Sequence, residues 1–189
     1  MDELILPKIG MRTGDNARFL RQWYEVSYSN SKLNDATKDY TEQEVKWVPY
    51  NKGGSFRKWY GNYDYVVNWL DNGNEIKENT RRVYPQLGEN LSWKITNESY
   101  YFLASITWAA VTSNRLSMRY REHGSIFDVA GMSAFSDDSD LLFYILGLGN
   151  SNIGDYLLRI LNPTINAQVG YFKNIPVIRK ENEDRFLVF

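Results

Sequence analysis

The sequence predicts an α+β fold: a twisted, mostly antiparallel sheet with a C-terminal pair of helices packed against it. Three observations carry this reading. Over the first 135 positions, short runs rich in Val, Ile, Trp and Tyr alternate with turn residues. A hairpin pattern brackets Thr112-Ser113-Asn114-Arg115. The last third switches to apolar residues at helical spacing between capping residues.

The elements follow in order. Leu4 to Ile9 is short and apolar and breaks at Gly10 and Gly14. Phe19 to Val26 fits a strand by its aromatic and β-branched content. Ser29 to Gln43 is polar and reads as a loop with room for one helical turn; a polar stretch of that length in a compact domain is often functional. Tyr63 to Leu70 is a strand, Asp71-Asn72-Gly73-Asn74 a turn, and Glu75 to Tyr84 an exposed helix that stops before Pro85. Ile106 to Val111 and Leu116 to Tyr120 form the two arms of the hairpin, and Ile126 to Ala130 a further strand.

Asp138 to Leu148 reads as an apolar helix, N-capped by Asp137 or Asp138 and ended by Gly147 or Gly149. Ser151 caps a second helix running to Asn162, where Pro163 forbids continuation. Its apolar residues Ile153, Tyr156, Leu157, Ile160 and Leu161 share one face, and Ile153, Leu157, Ile160 and Leu161 are expected to pack on the sheet. Tyr171 to Ile178 is expected to return as a strand or extended segment. A chain of 189 residues suits a single domain, 1–189, divided into a β-rich part, 1–135, and a part holding the helical pair and terminal strand, 136–189.

Composition narrows the chemistry. Residues of hydrophobic type make up 43%, enough for a true core, while 6 Trp, 14 Tyr and 9 Phe are too many to hide entirely, so some should line a contact surface. The formal net charge is -1, against the basic excess usual in a freestanding DNA-binding domain. The cations nevertheless cluster, at Lys52/Arg57/Lys58, Arg81/Arg82 and Arg115/Arg119/Arg121. With 0 Cys there are no disulfides, thiolate nucleophiles or Cys-based zinc sites, which fits a cytoplasmic protein. No apolar run is long enough to span a bilayer.

The densest chemistry lies in Pro49-Tyr50-Asn51-Lys52-Gly53-Gly54-Ser55-Phe56-Arg57-Lys58-Trp59-Tyr60-Gly61-Asn62. Lys52, Arg57 and Lys58 suit phosphates, Trp59 and Tyr60 offer flat faces with polar tips, and Gly53 and Gly54 permit tight turns or close approach. The spacing is not that of a nucleotide-binding P-loop. This run resembles one in the C-terminal half of large adenine-specific DNA methyltransferases, those of BREX phage defence and of type IIG restriction-modification.

The resemblance extends through Gly10-Met11-Arg12-Thr13-Gly14-Asp15-Asn16-Ala17-Arg18-Phe19, Ile106-Thr107-Trp108, Phe127-Asp128-Val129-Ala130-Gly131, Asn162-Pro163-Thr164-Ile165-Asn166 and Ile175-Pro176, in the family's order. It implies a DNA target-recognition domain similar to those of type I specificity subunits. The family's catalytic Asn-Pro-Pro-Tyr is absent here, as is a glycine-rich strand-to-helix turn for S-adenosylmethionine. The resemblance therefore implies a recognition region cut away from its catalytic part and non-catalytic by itself. That catalytic domain, linked or associated, would bind S-adenosylmethionine; this chain would bind no cofactor and no metal.

Candidate DNA contacts are Lys52, Gly53, Gly54, Arg57, Lys58, Trp59 and Tyr60, with a solvated glycine turn as the alternative. Thr13, Asn16 and Arg18 suit either the DNA backbone or a self-contained turn. At the hairpin tip, Ser113 and Arg115 are candidates because a two-stranded ribbon fits the major groove and arginine bonds guanine bidentately. His123, the single histidine, reads as a surface residue, and Asp137, Asp138 and Asp140 as helix-capping acids. The expected partner is double-stranded DNA rather than a membrane; the competing expectation is a protein-docking module of the same defence complex.

Overall fold

The computed structural model describes residues 4–31, 45–111, 115–162, 164 and 166–177. It is an α+β fold with two four-stranded sheets. The first sheet has the order β1 (Leu6–Lys8), β8 (Gly131–Phe135), β5 (Ser105–Ala109), β6 (Met118–Arg121), antiparallel throughout. The second has the order β2 (Leu20–Gln22), β4 (Tyr65–Asn68), β3 (Trp47–Asn51), β7 (Ile126–Phe127). Its β2/β4 and β3/β4 pairs are antiparallel, whereas β7 runs parallel to β3.

Each sheet has its own core. Ile106, Trp108, Met118, Met132 and Ala134 of the first sheet pack with Leu142, Ile145 and Leu158 from the C-terminal helices α3 (Ser139–Asn150) and α4 (Asn152–Leu161). Val48, Tyr50 and Val67 of the second pack with Phe19, with Ile76 of α2 (Leu70–Val83), and with Leu91, Ile95 and Tyr101. The hairpin arms pair as β5 and β6, with Ile106 opposite Tyr120 and Trp108 opposite Met118.

Several local readings hold in detail. Asp71, Asn72 and Gly73 open α2 in the left-handed region, at φ of 50°, 57° and 71°, so the expected turn forms before the regular helix. Short Asn and Asp side chains and glycine are the residues that accept this conformation. Asp138 caps α3 by accepting from the Asp140 and Leu141 amides, and Ser151 caps α4 by accepting from the Gly154 amide.

Other readings are corrected. Of the expected strand Phe19 to Val26, only Leu20–Gln22 pairs; Phe19 closes the short α1 (Asn16–Phe19) and Trp23–Glu25 is a 3₁₀ turn. The loop expected from Ser29 to Gln43 lies mostly outside the described residues. The strand expected at Ile126 to Ala130 is only two residues long and turns into β8 at Gly131, an element not read from the sequence. Strand β3 was also unread: Pro49 sits inside it, opposite Val66 of β4.

The expected terminal strand is instead a short helix, α5 (Val169–Lys173). Phe172 and Ile175, three apart, are both buried, and Phe172 stacks on Trp108 with ring centres 4.4 Å apart. Helical spacing overrode the aromatic content there.

The largest correction concerns α4. Its buried face is Gly154, Asp155 and Leu158, with Leu157 only partly buried at the edge. The expected packing residues Ile153, Ile160 and Leu161 are 66%, 61% and 36% exposed, and Tyr156 of the same stripe is 65% exposed. Asp155 decides the rotation: its carboxylate accepts from the Leu116 amide at 3.1 Å and pairs with Arg115 and Arg159. Replacing Leu158 with Ala is expected to cost about 2–5 kcal/mol as a buried truncation, while Ile160→Ala stays within about 0.5 kcal/mol. Chemical denaturation of the two variants measures both; equal costs would contradict this rotation of the helix.

Candidate nucleic-acid interface

Residues 52–64 join β3 to β4, and the 52–62 loop within them is fixed at both ends by polar contacts. At the start, the Asn51 amide nitrogen donates to Thr107 Oγ1 and to the Gly131 carbonyl. The next residue, Lys52, places Nζ 3.1 Å from Asp128 Oδ2. Asp128 is buried, and its carboxylate also accepts from the Tyr50 hydroxyl at 2.7 Å and the Ala130 amide at 2.7 Å. Burial, and then the Asp128 charge, hold the Tyr50 phenol well above its ordinary range. Gly53, at φ +84°, has no room for a side chain: a Cβ there would sit 2.6 Å from the Ala130 carbonyl oxygen.

The far half of the loop is laid along β6. The Trp59 amide donates to the Met118 carbonyl at 2.8 Å, and the Tyr120 amide donates to the Trp59 carbonyl at 3.0 Å. Trp59 adopts φ +73° to make this bridge. Lys58 Nζ donates to the carbonyl of Asn150, the last residue of α3, where a cation also complements the helix dipole. Asn62 returns to donate to the Ser55 carbonyl and closes the loop on itself.

What the loop shows to solvent is Phe56, Arg57, Trp59 and Tyr60, the last two 54% and 67% exposed. Beneath it lie two arginines of β6. Arg119 and Arg121 are 0% and 2% exposed, yet neither has an ion-pair partner among the described residues. Arg119 donates to the Arg57 and Ser117 carbonyls, and Arg121 to the Asn62 carbonyl; Nε and one terminal nitrogen of each have no partner. The Arg121 guanidinium lies 3.8 Å from the centre of the Tyr63 ring. Burial, and then the neighbouring Arg121 charge, pull Arg119 down to about 10, so it remains charged at neutral pH. Burial lowers Arg121 as well, opposed by Tyr63.

The other expected site residues fall into place separately. Thr13 is buried and its hydroxyl donates to Asn16 Oδ1 at 2.6 Å, with Gly14 at φ +75° between them. Asp15 caps α1 through the Arg18 amide, and Arg18 is exposed, 3.5 Å from Glu75. This turn meets the Lys52 loop at one place: the Met11 amide donates to the Phe127 carbonyl, the Val129 amide to the Met11 carbonyl, and the Asp128 amide to the Asn51 carbonyl. Arg115 lies against α4, bonded to Asn152 and 3.4 Å from Asp155. Ser113 lies outside the described residues. His123 is exposed and lines a separate hollow with Tyr120 and Asp137. Among the described residues no cluster of three or more His, Asp or Glu is placed to hold a metal ion.

Reading from sequence alone missed Asp128 and the burial of Arg119 and Arg121. The signal for the arginines was present: they alternate with Met118 and Tyr120 at the period of two that sends both to one face of a strand. For Asp128, the Asp-Val-Ala-Gly run reads equally well as an ordinary turn.

Asp128→Ala should remove three acceptor contacts at once and leave the Tyr50 hydroxyl with only the Met11 carbonyl at 3.4 Å. The expected loss is about 3–5 kcal/mol, that of breaking a buried charged network. Urea unfolding monitored by tryptophan fluorescence measures it; a loss below about 1 kcal/mol would show that the junction does not depend on this carboxylate.

No family model matches the chain. It is 36% identical over 182 residues, 96% of its length, to the adenine-specific methyltransferase PglX of Lacticaseibacillus casei (strain Zhang), of which it spans 15%. It is 32% identical over 188 residues to the adenine-specific methyltransferase BrxX of Escherichia coli O9:H4 (strain HS), of which it spans 14%. The chain is thus homologous, over nearly its whole length, to one limited region of much longer adenine-specific methyltransferases.

Proposed function

We propose that this chain is a DNA target-recognition region of an adenine-specific methyltransferase of the BREX or type IIG kind, acting beside a catalytic domain that carries the methyl-transfer chemistry. The observation that supports it most is the outer face of the 52–62 loop. Arg57, Trp59 and Tyr60 are exposed together on a segment braced at Lys52, Lys58, Trp59 and Asn62. A braced loop presents charge and flat rings at little ordering cost, which is what a duplex-gripping element needs.

In this reading Arg57 neutralises a phosphate, and Trp59 and Tyr60 lie against sugar or base edges. The buried Arg119 and Arg121 add fixed positive charge behind them. Lys52 and Lys58 act chiefly by holding the loop, since each already has a partner within the fold. Asn16 and Arg18 form a second, smaller contact, with the buried Thr13 only positioning Asn16 through its hydroxyl, and Arg115 with Ser113 is the candidate for reading a base. A docking role for the same loop is the competing reading; an exposed cation between the aromatic side chains favours a polyanion.

In this reading cofactor binding and methyl transfer belong to the catalytic domain, since the Asn-Pro-Pro-Tyr motif is absent from this sequence.

With a net charge of -1, binding by the isolated chain should be weak and mainly electrostatic. Arg57→Ala is expected to weaken binding to all duplexes alike and to flatten the dependence of log affinity on log salt by about 0.9. Fluorescence anisotropy across a salt series measures this. In a full-length methyltransferase, Arg57→Ala with Tyr60→Ala should reduce adenine methylation at the cognate site; unchanged methylation by a folded variant would remove the loop from DNA recognition.

A further inference from the structure

Helix α4 is amphipathic, but it is turned the unexpected way. Ile153, Tyr156 and Ile160 recur at helical spacing and are each more than 60% exposed, with Leu161 at the edge of the same stripe. Nothing in the packing allows the helix to rotate and bury them. Gly154 abuts the Leu148 carbonyl so closely that a Cβ would lie 2.1 Å from its oxygen. Ser151 caps the first turn, and the Asp155 carboxylate is tied to the Leu116 amide and to Arg115 and Arg159. The face most suited to burial is thus held outward by contacts on the opposite side.

We infer that this face of α4 docks against another domain of the same longer polypeptide, through an apolar surface that receives Ile153, Tyr156 and Ile160. Three large apolar side chains on one helix face, each more than 60% exposed, form a contiguous patch of the kind often used for contact. The stripe is one face of a ten-residue helix, small beside the roughly 20–30 residues a side that a stable pair of separate chains uses. A tethered domain needs far less, because covalent linkage supplies an effective concentration in the millimolar range. The homologues provide such a domain, since the region matched here is only 15% and 14% of their length. Tyr156 at the centre of the stripe is of the residue type enriched at interface centres, and Arg159 and Asn152 flank it as a polar rim.

The inference rests on placing the chain within a larger methyltransferase, and not on DNA contact by the 52–62 loop. The chain has 0 Cys, so one introduced thiol reports one place. Ile160→Cys is compared in the 189-residue chain and in the full-length polypeptide by maleimide labelling and peptide mass mapping, without DNA, with Gln86→Cys, an exposed position, as the reference. Cys at 160 should label at least tenfold more slowly in the full-length polypeptide, while Cys at 86 labels alike in both. Equal rates at 160 would overturn the proposal. Protection that grows with concentration in the 189-residue chain would also overturn it, in favour of a second copy. Slow labelling together with full methylation by the Arg57→Ala/Tyr60→Ala variant would leave the docking face standing while the DNA role fails.

Discussion

The buried Asp128 carboxylate is the contact on which the rest of the arrangement depends. It sits where β7, in the second sheet, gives way to β8, in the first. Its acceptor contacts gather the end of β3 through Tyr50 and Lys52 and shape the turn through the Ala130 amide. Backbone bonds on either side of it hold the Met11 segment. Gly131 and Gly53 allow this convergence, because a Cβ at Gly131 would lie 2.2 Å from the Asn51 carbonyl oxygen. Two sheets with largely separate cores are therefore tied at this charged turn, with Phe135 of β8 adding an apolar link by packing on Phe127 and Tyr100 in the second core. An unpaired carboxylate at that depth would cost several kcal/mol, so the network is favourable only while all its members are present.

The loop that follows Lys52 inherits this rigidity, and the two arginines below it show what the arrangement costs. Burying like charges side by side without a carboxylate is unfavourable, and Arg119 registers it as a lowered pKa. The Tyr63 ring and the carbonyls of Arg57, Asn62 and Ser117 compensate in part. The field of these guanidiniums adds to that of Arg57 at the surface.

Much of the fold was legible wherever a local rule had a single solution. Asp71-Asn72-Gly73 announced a left-handed turn, Asp138 and Ser151 announced helix starts, and the hairpin arms announced their pairing. The reading failed where a distant partner decided. The apolar stripe of α4 was identified, but its burial was settled by Asp155 and a loop amide 39 positions away. Helix α5 was misread as a strand because Phe172 answers to Trp108, not to its neighbours in sequence. At the site, the exposed residues of the loop were legible as chemistry, while the parts that brace it, Asp128, Asn150 and the edge of β6, were not, since each is remote in sequence.

The Trp59 bridge has one more consequence. Strand β6 is the last strand of its sheet, and a bare strand edge is a template for pairing with foreign chains. By exchanging two backbone bonds with Met118 and Tyr120, Trp59 occupies that edge with a single left-handed residue that cannot itself propagate a ladder. The segment richest in contact chemistry is also the guard of the sheet's open border. Substitutions in this loop are thereby confined to side chains that leave the Trp59 backbone where it is, so the edge of β6 constrains the same few positions that face solvent.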